Sequence, residues 1–177
     1  MSDDSTEMPA ALRRRLAESP LWSFALALYA RPGVEAACLL LQDDADIDVC
    51  ELLWRCWLLH HGAVPGQAAE AGLVEVRHWQ REVTAPLRRL RRGLKAAAAE
   101  RDGVARLRQT LKRAELEAER EALARLEALA MTRPLRVRLA ADPPLKLLSS
   151  ALQLQKKAHL STLNSLVARL DPPRGPR

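Results

Sequence analysis

Aromatic side chains are scarce: Trp22, Trp54, Trp57, Trp79, Phe24 and Tyr29 are all that 177 residues contain. Strands draw on aromatic and β-branched residues, so this poverty, with Ala, Leu, Arg and Glu dominating, excludes an all-β fold and points to long helices. Long apolar runs are missing as well. The longest, Leu21 to Leu41, is cut by Arg31, Pro32 and Gly33, short of the roughly 20 residues that cross a bilayer. A membrane-spanning chain is therefore not expected. Asp3, Asp4 and Glu7 precede the Arg13-Arg14-Arg15 cluster, and no small-residue cleavage site follows an apolar core, so export is not expected either. Cys38, Cys50 and Cys56 are an odd set that cannot form a complete disulfide framework, which fits a reducing, cytoplasmic compartment.

What is present suffices for one ordinary globular core, with 48% hydrophobic residues and 28% charged. The net charge of +6 is unevenly spread. Residues 1–62 carry five Lys and Arg against ten Asp and Glu, residues 63–101 eight against four, residues 102–132 six against six, and residues 133–177 nine against two. An acidic front can attract a basic back, and the back can equally serve an anionic partner.

Ser19-Pro20 reads as an N-cap with Pro at the first helical position, opening a buried helix over Leu21 to Ala30. Arg31-Pro32-Gly33 breaks it, and Val34 to Gln42 resumes as a second helix at a corner. A third begins near Val49, with Asp48 as cap and Glu51 reaching back in a capping box. Its other residues are apolar except Arg55, four places after Glu51, so water is expected only around that pair. His60-His61-Gly62 ends it. Residues 67–72 suit a short helical turn, and Val74 to Glu100 a long helix kinked at Pro86. Val76, Trp79, Val83, Leu87, Leu90 and Leu94 recur every three or four places along it. Leu107, Leu111, Ala114, Ala118, Ala122, Leu126 and Leu129 do the same over Val104 to Met131, which predicts an antiparallel hairpin of two long helices. Pro134 and Pro143-Pro144 mark a connection to one last helix over Leu145 to Leu170.

The expected fold is all-α: a compact bundle of short buried N-terminal helices packed on a long antiparallel helical hairpin, with a C-terminal helical appendage. Residues 1–18 are expected as a flexible segment, 19–131 as the helical domain, and 132–177 as a basic, partly helical tail, separable from the rest.

Leu21-Trp22-Ser23-Phe24-Ala25, Tyr29-Ala30-Arg31-Pro32-Gly33-Val34-Glu35 and Cys38-Leu39 resemble a proteobacterial family known as domain of unknown function 2390. The likeness continues through Trp79-Gln80-Arg81-Glu82-Val83, Pro86-Leu87-Arg88, Leu90-Arg91 and Glu117-Ala118-Glu119-Arg120, over about residues 20–131. The resemblance implies a small bacterial cytoplasmic helical protein and carries no reaction, cofactor or catalytic residue.

Among the chemistry-bearing residues, Asp43, Asp44, Asp46 and Asp48 are reminiscent of a magnesium-binding aspartate motif but lack a second acidic motif on a facing helix, and capping and solvation explain them. Cys56 and His60 stand four apart as zinc ligands do, but two further ligands are missing; buried thiol and helix-end imidazole are the plainer roles. No metal and no cofactor is expected. Trp54, Trp57, Cys56 and His60 are candidates for a small-ligand pocket among the first three helices, weighed against simple core packing. The strongest signal is basic: Arg77, Arg81, Arg88, Arg89, Arg91, Arg92 and Lys95 are answered locally only by Glu75 and Glu82. Their guanidinium forks suit carboxylate or phosphate, though pairing with Glu115, Glu117, Glu119 and Glu121 on the next helix would neutralise them. The expectation is a non-enzymatic interaction or regulatory protein whose basic helix and tail contact an acidic protein or nucleic acid. The alternative is a ligand-binding domain or enzyme using the pocket.

Overall fold

The computed structural model describes residues 10–170, and it is helical apart from one two-stranded ribbon. The helices are α1 (Ala10–Glu18), α2 (Leu21–Tyr29), α3 (Val34–Ala45), α4 (Val49–His60), α5 (Gln67–Trp79), α6 (Ala85–Gly93), α7 (Lys95–Glu100), α8 (Asp102–Thr132), α9 (Pro144–Ala151) and α10 (Lys157–Val167). The strands are β1 (Ala63–Pro65) and β2 (Leu135–Val137).

α4 is the axle. Asp48 caps it by accepting from the backbone N–H of Cys50 at 2.9 Å and of Glu51 at 3.2 Å, as the sequence predicts. Glu51 does not reach back; its carboxylate bonds Arg55 and Arg77 instead. Every residue from Cys50 to Leu59 is buried, Glu51 and Arg55 included at 3% and 4% exposure, so the polar stripe expected to face water is covered as well. Gly62, at φ 74°, closes the helix in the left-handed region that suits glycine.

α2 packs on α4 and α8, and its first free N–H, at Leu21, donates to Glu127 of α8 at 2.5 Å. The expected cap, Ser19, instead gives its carbonyl to Trp57 Nε1. α2 and α3 form the predicted corner, bent by 99°, with Gly33 at φ 83° at the turn. Among the described residues no single helix is long and apolar enough to cross a membrane.

The hairpin pairs α5, α6 and α7 with α8. Its first arm opens into a π-turn over Gln80–Thr84, just ahead of Pro86. Pro86 lacks an N–H and its ring crowds the carbonyl of Glu82, so the ladder opens in the preceding turn. Toward the tip the apolar stripe is only partly covered: no residue of α6 or α7 is fully buried, Leu87, Leu94 and Leu111 are half-buried, and Leu90 and Leu107, expected on the inner faces, are 54% and 51% exposed.

Both ends of the chain behave differently from expectation. Residues 10–18, read as part of a flexible segment, form α1 and bury Leu12 and Leu16; residues 1–9 lie outside the described residues. The expected single helix over Leu145–Leu170 is two, α9 and α10, with Gln153 at φ 54° between them. α10 packs on α3 and α9 on α4, burying Leu148, Leu154, Leu163 and Leu166 in the common core. β2 pairs antiparallel with β1, Val64 opposite Arg136. Gly66 permits this approach: a Cβ there would stand 2.6 Å from the Pro134 carbonyl oxygen. The Pro-rich end beyond Leu170 lies outside the described residues.

Candidate interaction surface on the arginine hairpin

The basic residues singled out from sequence divide into an inner and an outer set. Arg88 donates to Glu115 at 3.0 Å and to Glu119 at 2.9 Å, and Arg91 also pairs with Glu115. Burial works against the Glu115 carboxylate, but hydrogen bonds from Arg91 and Arg88 hold its pKa below the ordinary value. Glu119 shifts the other way, raised by burial despite Arg88. Half of the expected acidic face thus takes part. Glu117 is exposed, and Glu121 pairs with Arg125 on its own helix.

Arg77 turns away from α8 to α4. It donates to both oxygens of Glu51, at 3.0 and 2.9 Å. Arg55 donates to Glu51 at 3.2 and 3.0 Å and, as a bidentate fork, to Glu70 at 2.7 and 2.8 Å. Burial opposes the charge on Glu51, and the hydrogen bonds from Arg77 with the charge of Arg55 nonetheless hold its pKa low. Arg92 reaches Asp43 at 2.9 Å, and Arg81 pairs with Glu82 beside it.

Arg89 and Lys95 are exposed and make no ion pair among the described residues. Arg101, Arg106 and Lys112 at the start of α8 share that condition. The neutral total over residues 102–132 conceals these: residues 102–114 hold Arg106, Arg108, Lys112 and Arg113 against Asp102 alone, and residues 115–132 hold two cations against five acids. Dividing α8 at its middle would have revealed the basic tip. Leu90 on α6 and Leu107 on α8 are half-exposed, and at 100° per residue each lies about 100–140° around its helix from the unpaired cations Arg89 and Lys95 or Arg106 and Lys112. Trp79, the nearest aromatic, is occupied by a bond to the Ala118 carbonyl at 3.0 Å and by Arg125 stacked 4.3 Å from its ring.

A family model matches residues 20–126. The chain belongs to DUF2390, a family described as proteins of unknown function. No curated protein and no solved structure matches it. The DUF2390 region runs from α2 into α8 and contains the whole hairpin arm and the Glu51, Arg55 and Arg77 cluster; α9, α10 and β2 lie beyond it.

The residues considered for a pocket lie apart from any large opening. Trp54, Cys56 and Trp57 are wholly buried in the DUF2390 core. His60 meets Phe24, 5.4 Å between ring centres, beside a recess of about 30 Å³, the room of one water. Burial pushes the Cys38 thiol up to about 12 and raises Cys50 and Cys56 too, so none is a ready nucleophile at neutral pH. Among the described residues no three His, Cys, Asp or Glu side chains converge to hold a metal. Of the four loop aspartates, Asp48 caps α4, Asp43 meets Arg92, and Asp44 meets His159 of α10 at 2.6 Å; the last partner was not foreseeable from local spacing.

Proposed function

We propose that the protein is a non-enzymatic interaction protein whose hairpin tip docks an acidic surface of a protein partner. One observation carries this reading: Arg89, Lys95, Arg101, Arg106 and Lys112 have no ion-pair partner among the described residues, while the inner arginines beside them are neutralised by Glu115 and Glu119. Half-exposed Leu90 and Leu107 stand on the same two helices as those cations but on a different face, so a protein that wraps the tip meets both charge and apolar surface. A phosphate backbone offers no apolar face, and a single-strand platform needs free aromatic rings, which this arm lacks. A cytoplasmic site of action fits the three buried free thiols.

The test is carbodiimide crosslinking, which joins amines to carboxylates, followed by capture from native lysate with and without nuclease. The expected result is a nuclease-resistant product bonded through Lys95 or Lys112 that vanishes at high salt and in the variant R89E/K95E/K112E. Equal capture by the variant overturns the reading. Nuclease-sensitive capture with steep salt dependence transfers the surface to nucleic acid.

A further inference from the structure

A second site lies on the opposite side of α4 from the expected pocket. The C-terminal half of α4, strand β1, Glu70 of α5, Arg136 of β2 and helix α9 line an open recess of about 320 Å³, at the small end of ligand-sized sites, which run from about 300 to 1,000 Å³. Its walls are mainly apolar, from Leu59, Val64, Leu147 and Leu148, and its polar side chains are Arg55, Glu70, Arg136 and Ser150. The family match covers α4, β1 and α5, and α9 and β2 supply the remaining walls from outside it.

Two observations define what such a recess takes. The first is charge. Arg55, Arg77 and Arg136 stand against Glu51 and Glu70, and Arg136, exposed on β2, has no ion-pair partner among the described residues. The group is therefore one negative charge short. The second is a spare donor. A guanidinium carries five N–H groups; Arg55 spends one from Nε and two from Nη2 on Glu51 and Glu70, and one from Nη1 on Glu70. One Nη1–H of a cation only 4% exposed is left over, and an unspent buried donor is costly unless something accepts from it.

We propose that this recess binds a small monocarboxylate with an apolar body. Its carboxylate accepts from Arg136 and from the remaining Nη1–H of Arg55, and its hydrocarbon part lies against Leu59, Val64, Leu147 and Leu148. A single planar anion balances the one uncompensated cation and matches the guanidinium fork, whereas a dianionic phosphate would overcharge the site and leave the apolar walls unused. This inference is independent of the hairpin reading, and either can fail alone.

Isothermal titration with straight-chain carboxylates from acetate to decanoate tests it on the full chain. Affinity should rise with chain length until the recess is filled and then stop rising. The primary alcohol of the best length should bind at least about tenfold more weakly, and so should the acid to Arg136→Gln. Ala151→Phe, which fills the recess from α9, should abolish binding while the melting temperature stays close to wild type. No saturable binding of any acid in the millimolar range overturns the proposal. So does binding that the alcohol, R136Q and A151F reproduce.

Discussion

Leu53 shows how much one side chain carries. It stands mid-helix in α4, buried on every side, and truncation leaves a cavity that a packed helix cannot close. Leu53→Ala should lower the unfolding free energy by about 2–5 kcal/mol in denaturant titration. Glu51 makes a different prediction, in pH. Its folded pKa is depressed below the ordinary 4.5, so its pairing contributes stability that is fully present above that value and drains away as pH falls through the lower folded one. Thermal melts from pH 7 to pH 3 should show a steeper acid loss for wild type than for Glu51→Gln, which is less stable at pH 7 and converges on wild type in acid. Parallel curves would mean that Glu51 is not held charged by Arg55 and Arg77.

The hairpin and the C-terminal helices behave as elements whose partners lie far off in sequence. Arg88 and Glu115 are 27 residues apart and both largely shielded from water, so Arg88→Glu should destabilise by about 3–5 kcal/mol, the cost of stranding buried charge. Reversing the rest of the cluster too, with Arg91→Glu, Glu115→Arg and Glu119→Arg, should recover much of that loss, readable as the coupling in a mutant cycle. Truncation after Thr132 removes Leu135, Leu148, Leu154, Leu163 and Leu166 from the core. At about 1.5–3 kcal/mol for each buried leucine, the loss rivals the whole stability of a typical domain, about 5–15 kcal/mol. The truncated chain should lose its cooperative melt, and a sharp melt near the wild-type midpoint would restore the reading of the tail as a separable unit.

Across the whole molecule the acidic front and basic back meet at chosen points: Arg77 on Glu51, Arg92 on Asp43, His159 on Asp44. Among the cations without an ion pair in the described residues, Arg89, Lys95, Arg101, Arg106 and Lys112 lie together at the hairpin tip. Because those charges are exposed, R89E/K95E/K112E should leave stability within about 0.5 kcal/mol of wild type in the same denaturant titration. A larger loss would mean that the tip packs within the fold rather than serving a partner.

The helical class, the corner at Arg31-Pro32-Gly33, the Asp48 cap and the pairing of the two long helices were legible in the sequence, because each depends on residues a turn or two apart. The inner ion pairs of the hairpin, 27 and 31 residues apart, were legible for another reason: antiparallel helices joined by a short turn place their facing rows predictably. Contacts between distant segments were not. Periodicity marks an apolar face but not what covers it, so Leu148, Leu163 and Leu166 read as an appendage until α9 and α10 were seen lying on α4 and α3. It marks charge but not its partner, so Arg55 and Glu51 read as a wet pair until Glu70 and Arg77 closed over them. The ribbon of β1 with β2, three residues each, carries too short a pattern to register, and only the long-range fold brings Ala63–Pro65 beside Leu135–Val137 and closes the recess against Arg136.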